Sequence, residues 1–410
     1  MTAPDSRRAG GATNEPSFES GVVSALSQHE STRYAAAATG GSRSDRRPGG
    51  SDKKTADEKV WRSEDLDLLA VGMGIGDVDG DGKNEIVVID PTTVYVYRIT
   101  PEHKLALVCD YSPDGLELKS VDVAQVRKQG NCRIYVSAQN RGSVTSLVLE
   151  YRAGALVPVA TSVPYFLRIL DYPTHGPFLL GQRKGLVKMY DGPILKMVDK
   201  GDDVEPQGRF GVPLKIPIFG FAIGDLEGKQ KPLIAVYDRE DHLRVYEPSG
   251  KRLFVSQDYY GGSDVLLKTG GPEVRKDAMR SAIEPDKEFF RPRILAKDLR
   301  KNSVYEILAI SHASKTKRML SHTKMLEEGR VVGLTWNGDA LVESWATPKI
   351  QGMIADFAIE SIPGFTGERL ITLERKKTDW LAFLRSKSQI RVYDLHALMA
   401  EGTQKGSRED

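Results

Sequence analysis

Apolar and polar residues alternate in short bursts over most of the chain. "TVYVYRI" at 93–99, "HLRVYEP" at 242–248, "VVGLTWNG" at 331–338 and "QIRVYDL" at 389–395 change character nearly every second residue, and Gly, Pro, Asp or Asn bound them. A period of two puts one set of side chains on each face of an extended strand, so these segments are predicted to be strands. Few segments beyond residue 58 keep a helical period for three turns. The pattern therefore predicts an all-β chain.

One stretch breaks the alternation and then repeats. Residues 77–90 read "DVDGDGKNEIVVID", and residues 225–238, "DLEGKQKPLIAVYD", align with them without a gap. A third copy, "DLRKNSVYEILAI", starts at Asp298, and eroded copies start at Gln125 ("QVRKQGNCRIYVSA"), near Asp171 ("DYPTHGPFLLGQ") and near Glu360 ("ESIPGFTGERLITL"). Each copy follows a short apolar stretch and precedes one or two alternating segments, which makes about four strands per unit. Such a unit cannot cover both its faces alone, whereas radial stacking covers them and leaves only short edges. The expectation is a β-propeller of six blades, or seven if the stretch 255–290 conceals another. The last unit supplies three strands, so "KVWRSED" near residue 60 is predicted to complete it.

Composition narrows the class. The chain has 410 residues, 40% of them hydrophobic, which suffices for a sizeable core, and a formal net charge of +2, which excludes a whole-molecule field for nucleic acid. Two cysteines and seven histidines show no metal or disulfide spacing. Residues 1–58 are rich in Ser, Gly, Ala and Arg and read as a disordered low-complexity tail; the propeller is expected over 59–396, with a flexible tail over 397–410. The beginning of the chain shows no apolar core of a secretory signal, and no stretch is long and apolar enough to span a bilayer.

The repeated loop carries candidate chemistry. Asp77, Asp79 and Asp81 stand at alternate positions, Gly80 and Gly82 allow a tight wrap, Lys83 offers its carbonyl at the seventh position, and Glu85 falls at the ninth. Oxygens spaced in this way suit Ca2+, a hard cation that takes six to eight oxygen ligands. Without a cation, four like charges in one turn repel each other. Val88 stands where an EF-hand needs a bidentate Glu, and a strand follows, which excludes the EF-hand. The other copies lose the cage by degrees. Lys229 and Leu233 replace acids in the second, Arg300 enters the third, and every acidic position is lost near Gln125.

The segment 74–90 and its period resemble the FG-GAP repeat, also called VCBS or integrin-α-like, with its Asp-x-Asp-Gly-Asp-Gly-x-x-Glu loop. The likeness extends over about residues 60–396, and its order of segments is similar to bacterial single-chain proteins of this type. It implies a propeller that binds calcium structurally and serves in adhesion, recognition or scaffolding, commonly outside the cytoplasm. A protein or glycan partner follows from the resemblance, for a monomer that needs no nucleic acid.

Three long insertions, 257–290, 312–330 and 374–389, are expected on the face opposite the acidic loop. Long loops on a rigid scaffold are where binding resides. In the last, Trp380, Leu381, Phe383 and Leu384 are flanked by Lys376, Lys377, Arg385 and Lys387, a mixture that suits an acidic partner or a peripheral lipid contact. The competing reading packs these apolar residues on the neighbouring insertion. No nucleophile elbow, Walker loop or dinucleotide fingerprint is present, so no catalytic residue is assigned. A carbohydrate-active hydrolase or lyase in the channel is the alternative, with His175, His242 and His312 as the titratable groups nearest to strand ends.

Overall fold

The computed structural model describes residues 60–173, 175–185, 189–190, 192–212, 215–268, 288–314, 326–376 and 387–406. The strands fall into six antiparallel units, the last two of which are bridged where Glu328 pairs with Gln351 and Gly329 with Ile350. Blade 1 is Gly72–Gly76, Glu85–Ile89, Val94–Ile99 and Leu105–Tyr111. Blade 2 is Glu117–Ala124, Arg133–Asn140, Ser146–Arg152 and Ala155–Val163, with a short strand Ser143–Val144 beside it. Blade 3 is Phe166–Tyr172, Gly176–Gln182, Leu195–Asp199 and Val204–Arg209; blade 4 is Phe221–Gly224, Leu233–Tyr237, His242–Tyr246 and Arg252–Tyr259. Blade 5 is Leu295–Lys297, Glu306–Ser314, Leu326–Trp336 and Leu341–Ala346. Blade 6 is Ile350–Ser361, Glu368–Lys376 and Ser388–Tyr393, completed from the other end of the chain by Val60–Arg62.

That last pairing sets Val60 opposite Tyr393 and Arg62 opposite Arg391. The expected closure by an N-terminal strand is thus met. It ties the two ends of the fold together through a sheet ladder rather than through side chains alone.

The strands of blade 1 show why the units stack. In Glu85–Ile89, Ile86 and Val88 join a core with Ile371, Leu373 and Val392 of blade 6, while Val87 and Ile89 join a core with Val121, Ile134 and Val136 of blade 2. Alternate residues therefore bury against opposite neighbours. The same holds around the molecule. Separate cores lie between blades 2 and 3 around Tyr135 and Leu179, 3 and 4 around Phe166 and Phe221, 4 and 5 around Val245 and Ile307, and 5 and 6 around Ile310 and Phe357. Six blades share six interfaces, and the sixth joins the last blade to the first. This closed ring is a six-bladed β-propeller.

The stretch that left seven blades open supplies only a two-stranded ribbon among the described residues, Leu266–Leu267 with Glu288–Phe289. The ribbon docks on blade 2, where the Lys119 ammonium donates to the Leu266 carbonyl at 2.8 Å and Gln139 bonds both polar backbone groups of Lys268. Lys119 lies at the end of its strand remote from the acidic loop, so the ribbon crosses the opposite face.

One expectation needs correction. The tail placed at 397–410 begins as a helix, Leu395–Gly406, and Leu395, Leu398 and Met399 are buried against blades 5 and 6. The Asp394 carboxylate accepts the Ala397 N–H at 3.0 Å and so caps the helix start. The run is polar apart from that short apolar stripe, so its amphipathic signal spans little more than one turn. Among the described residues, no helix is long and apolar enough to cross a membrane.

Candidate functional site

In the blade 1 loop, Gly80 and Gly82 both have φ +82°, the left-handed region, and a Cβ on Gly80 would meet Asn131 of blade 2 at 2.6 Å. This wrap turns two backbone N–H groups onto one carboxylate: Gly80 donates to Asp77 Oδ1 at 2.7 Å and Gly82 to Oδ2 at 2.9 Å. Asp79 accepts from the Asp81 N–H at 3.1 Å, and Asp81 from that of Lys83 at 2.8 Å. Glu85 begins the following strand and is fully buried, its Oε2 accepting the Val78 N–H at 3.1 Å. Oxygens of Asp77, Asp79 and Glu85 lie within 4.8 Å of one another. Asp81 lies outside that group. Lys83 donates its N–H to Asp81, and its side chain points to solvent.

A residue the sequence reading missed stands among these acids. Ile86 pairs with Tyr97, which sets Arg98 beside Glu85 across the ladder. The Arg98 guanidinium donates to Glu85 Oε1 at 3.1–3.2 Å and to Asp79, and lies 3.9 Å from Asp81. Burial opposes its charge, yet Glu85 and Asp79 outweigh that and raise its pKa further. Glu85 goes the other way: burial lifts its carboxyl pKa, against the pull of Val78 N–H and Arg98. The mutual repulsion read from four acids is therefore answered in part by a cation from the third strand. The clue in the sequence was Arg98 itself, a polar residue at the end of "VYVYR", but its register against Glu85 needs the hairpin.

The donor types suit a hard divalent ion, and three carboxylates converge as such an ion requires. One position near its centre is held by Arg98. An ion bound to Asp79 would have to displace that guanidinium.

The degenerate copies keep the backbone and change the charge. Gly228 and Gln230 have φ +68° and +58°; Lys301 and Ser303 have φ +53° and +66°. In both, the first Asp still gathers the loop: Gln230 N–H donates to Asp225 at 2.6 Å, and Ser303 N–H to Asp298 at 2.8 Å. Lys229 meets Glu227 at 3.2 Å, and Arg300 meets Glu306 at 2.9 Å, so each loop contains its own cation. In blade 2 the cross-strand charges are reversed. Ile134 opposes Leu149, which sets the buried Arg133 against Glu150, and Arg133 also reaches Asp199 at 2.8 Å.

At the ring's centre, Arg293 enters just before blade 5 and reaches across the axis. Its Nη1 donates to Asp122 of blade 2 at 2.6 Å, its Nε to Asp356 of blade 6 at 2.8 Å, and its Nη2 to the carbonyls of Met73 and Val121 at 3.1 Å. Asp356 also accepts from the Met73 N–H at 3.0 Å, and Asp122 from that of Ile169 at 2.9 Å. Five elements thus meet on one guanidinium and two carboxylates. Above this plug, toward the acidic-loop face, lies a cup of about 300 Å³ lined by Arg168, Asp171, Lys297, Glu360, Gln125 and apolar strand residues.

Of the other sequence-selected residues, Lys376 ends its strand with its ammonium on Asp65, while Lys377, Trp380, Phe383 and Arg385 lie outside the described residues. His312 is buried, with Nδ1 2.9 Å from the Gly261 carbonyl and Nε2 accepting the Ile354 N–H at 3.0 Å. His242 packs on Tyr259 at 4.7 Å, and His175 Nδ1 lies 2.8 Å from the Pro173 carbonyl.

No family model matches the chain, and no curated protein matches it. Among solved structures, it is similar to BBS1N in a complex with ARL6DN, with 11% identity over 83% of this chain and 99% of that one, at a TM-score of 0.42. It is also similar to Sqt1 from Saccharomyces cerevisiae, with 8% identity over 79% and 95% at 0.41, and to a glucose dehydrogenase, with 12% over 82% and 99% at 0.41. Likenesses this distant carry no inference about activity or partners.

Proposed function

We propose that the protein is a non-enzymatic binding or scaffolding propeller whose partner, a protein or glycan, docks on the face opposite the acidic loop. The observation that carries this reading is where the chain leaves the ring. The strands Leu266–Leu267, Glu306–Ser314 and Glu368–Lys376 are followed by long connections to Glu288–Phe289, Leu326–Trp336 and Ser388–Tyr393. All three departures lie on the ribbon face, from the connection between blades 4 and 5 and from blades 5 and 6. The Lys376 N–H donates to the Lys387 carbonyl at 3.0 Å, so the last insertion springs from a closed hairpin base. A rigid ring from which three long connections start on one face offers that face for recognition. The two deepest channel carboxylates, Asp122 and Asp356, are both engaged by Arg293 rather than poised as an acid–base pair.

The FG-GAP-like loop belongs to the same proposal as a Ca2+ site that tightens one blade. Asp77, Asp79 and Glu85, the carboxylates that converge, would hold the ion, and Asp81 and the Lys83 carbonyl complete the expected ligand set. Calcium would supply structural cross-linking and no chemistry. The test replaces 377–386 by a short Gly-Ser linker and compares capture on a glycan array and on immobilised candidate proteins. The proposal expects wild-type binding to disappear in the replaced variant with unfolding unchanged. Full retention of every bound ligand would exclude this face.

A further inference from the structure

The channel cup has an unusual charge arrangement that the proposed docking face does not use. The residues at which the three eroded loop copies begin, Gln125, Asp171 and Glu360, all line it, whereas Asp77, Asp225 and Asp298 of the better copies bind their own loops. All three stand at the channel mouth, where Gln125 still donates to the Gly130 carbonyl of its own loop while Asp171 and Glu360 face the cavity. Lys297, next to Asp298, joins them from blade 5.

Pairing inside the cup is incomplete. Arg293 is saturated by Asp122 and Asp356, and Lys297 meets Asp171 loosely at 3.6 Å. Two groups of opposite sign remain. Among the described residues no cation lies within ion-pair distance of the Glu360 carboxylate, and no carboxylate within that distance of Arg168. Arg168 is 5% exposed and donates to the Ile218 and Phe221 carbonyls at 2.8 and 2.5 Å, with its guanidinium over the Phe221 ring. Arg168 belongs to blade 3 and Glu360 to blade 6, which face each other across a ring of six.

We infer that the cup binds a small zwitterion of the amino-acid class, with its ammonium on Glu360 and its carboxylate on Lys297, above Arg168. Such a ligand gives Glu360 an ion-pair partner and gives Lys297, held only loosely by Asp171, a second anion in the field of Arg168, and the two opposed charges select against molecules that carry only one. The volume of about 300 Å³ limits the occupant to a small molecule. Among the described residues lining the cup none is aromatic, so a sugar ring finds no stacking platform there. Burial pushes the Glu360 carboxyl up to about 7 despite the attraction of Lys297, the mark of an acid kept where it lacks a partner.

The experiment is isothermal titration of the full chain at pH 8 with L-alanine, L-leucine, L-glutamine, L-lysine and L-glutamate. Butylamine, butyrate and methyl glucoside serve as controls. At least one amino acid should bind saturably, and each single-charge control at least about tenfold more weakly. Glu360→Gln and Lys297→Met should each lower that affinity about tenfold or more, with urea unfolding confirming that both variants fold. The inference is overturned if no amino acid binds at millimolar concentration, if butylamine or methyl glucoside binds as well, or if Glu360→Gln binds like wild type. Replacement of residues 377–386 should leave this titration unchanged, so its outcome is separate from that of the docking face.

Discussion

The loops at 77–85 and 298–306 share a backbone and differ in where their positive charge comes from. Both hold the fourth and sixth residues at positive φ, and in both the first Asp accepts the sixth residue's N–H, at 2.9 and 2.8 Å. In the first, glycines take those positions and the cation is Arg98, from a neighbouring strand. In the second, Lys301 and Ser303 take them and the cation is Arg300, within the loop itself. The comparison teaches that the first Asp and the backbone build the same wrap whichever side chains supply the charge at its centre. The charge at the centre is a separate and replaceable part.

The largest effect should come from removing the buried acid at the ninth position. Glu85→Ala leaves the buried Val78 N–H without its acceptor and takes from Arg98 its buried carboxylate while Asp79 remains, and should cost about 2 kcal/mol in urea unfolding. Glu306→Ala should cost about as much, because Arg300 can turn to water but the buried Trp345 indole N–H, which Glu306 accepts at 2.9 Å, is left without an acceptor. A loss much smaller for either variant would show that its buried N–H donor finds another acceptor.

Next comes the eroded copy that begins at Glu360. Its folded pKa of about 7 lies above the ordinary carboxyl value, so the folded state favours the protonated form. Stability tied to this group is full at low pH and is lost as pH rises from the ordinary value through 7, with Lys297, Asp171, Glu368 and Arg293 as the charges that face it. Glu360→Gln should therefore unfold like wild type at pH 4 and be more stable by about 2 kcal/mol at pH 8. A pH-independent difference between the two would refute the unpaired carboxylate.

Calcium sharpens the contrast between the two arginines. An open site of about 10⁻⁵ M at millimolar calcium would add about 2.7 kcal/mol, but wild type must first release Arg98 and should gain less. Arg98→Gln should raise the calcium-induced gain by about 1 kcal/mol, Asp79→Ala should abolish it, and Arg300→Gln should leave it unchanged. Thermal unfolding with calcium and with chelator reads all three. No response to calcium in wild type or Arg98→Gln would remove the ion from the proposal.

The smallest effect concerns strain. Lys301→Gly and Ser303→Gly relieve side chains held at φ +53° and +66° and should each add about 0.5 kcal/mol, net of the greater chain entropy of glycine. Gly80→Ala should move the other way by about 1 kcal/mol or more, because it adds the same strain and a contact with Asn131.

Much of the architecture was legible along the chain. Alternation marked the strands, the recurring loop counted the blades, and the three-stranded last unit called for a strand near residue 60, which Val60–Arg62 provides. The helix at Leu395–Gly406 was not legible, because its buried face amounts to three residues in a polar run. Arg98 was equally hidden, since a strand residue reveals its partner only once the hairpin register is set.

Local chemistry and period are properties of neighbouring residues, and the chain alone carried them: the all-β class, the ring of repeats, and the acids at 77, 79, 81 and 85. Which charges meet was decided by folding. Arg293 lies 171 residues from Asp122 and 63 from Asp356, yet the three close the channel. Glu360 and Arg168 come to face one cavity only because blades 3 and 6 oppose each other. The physical reason is that strand pattern is a one-dimensional signal, whereas a radial fold brings the inner edge of every blade to a single axis.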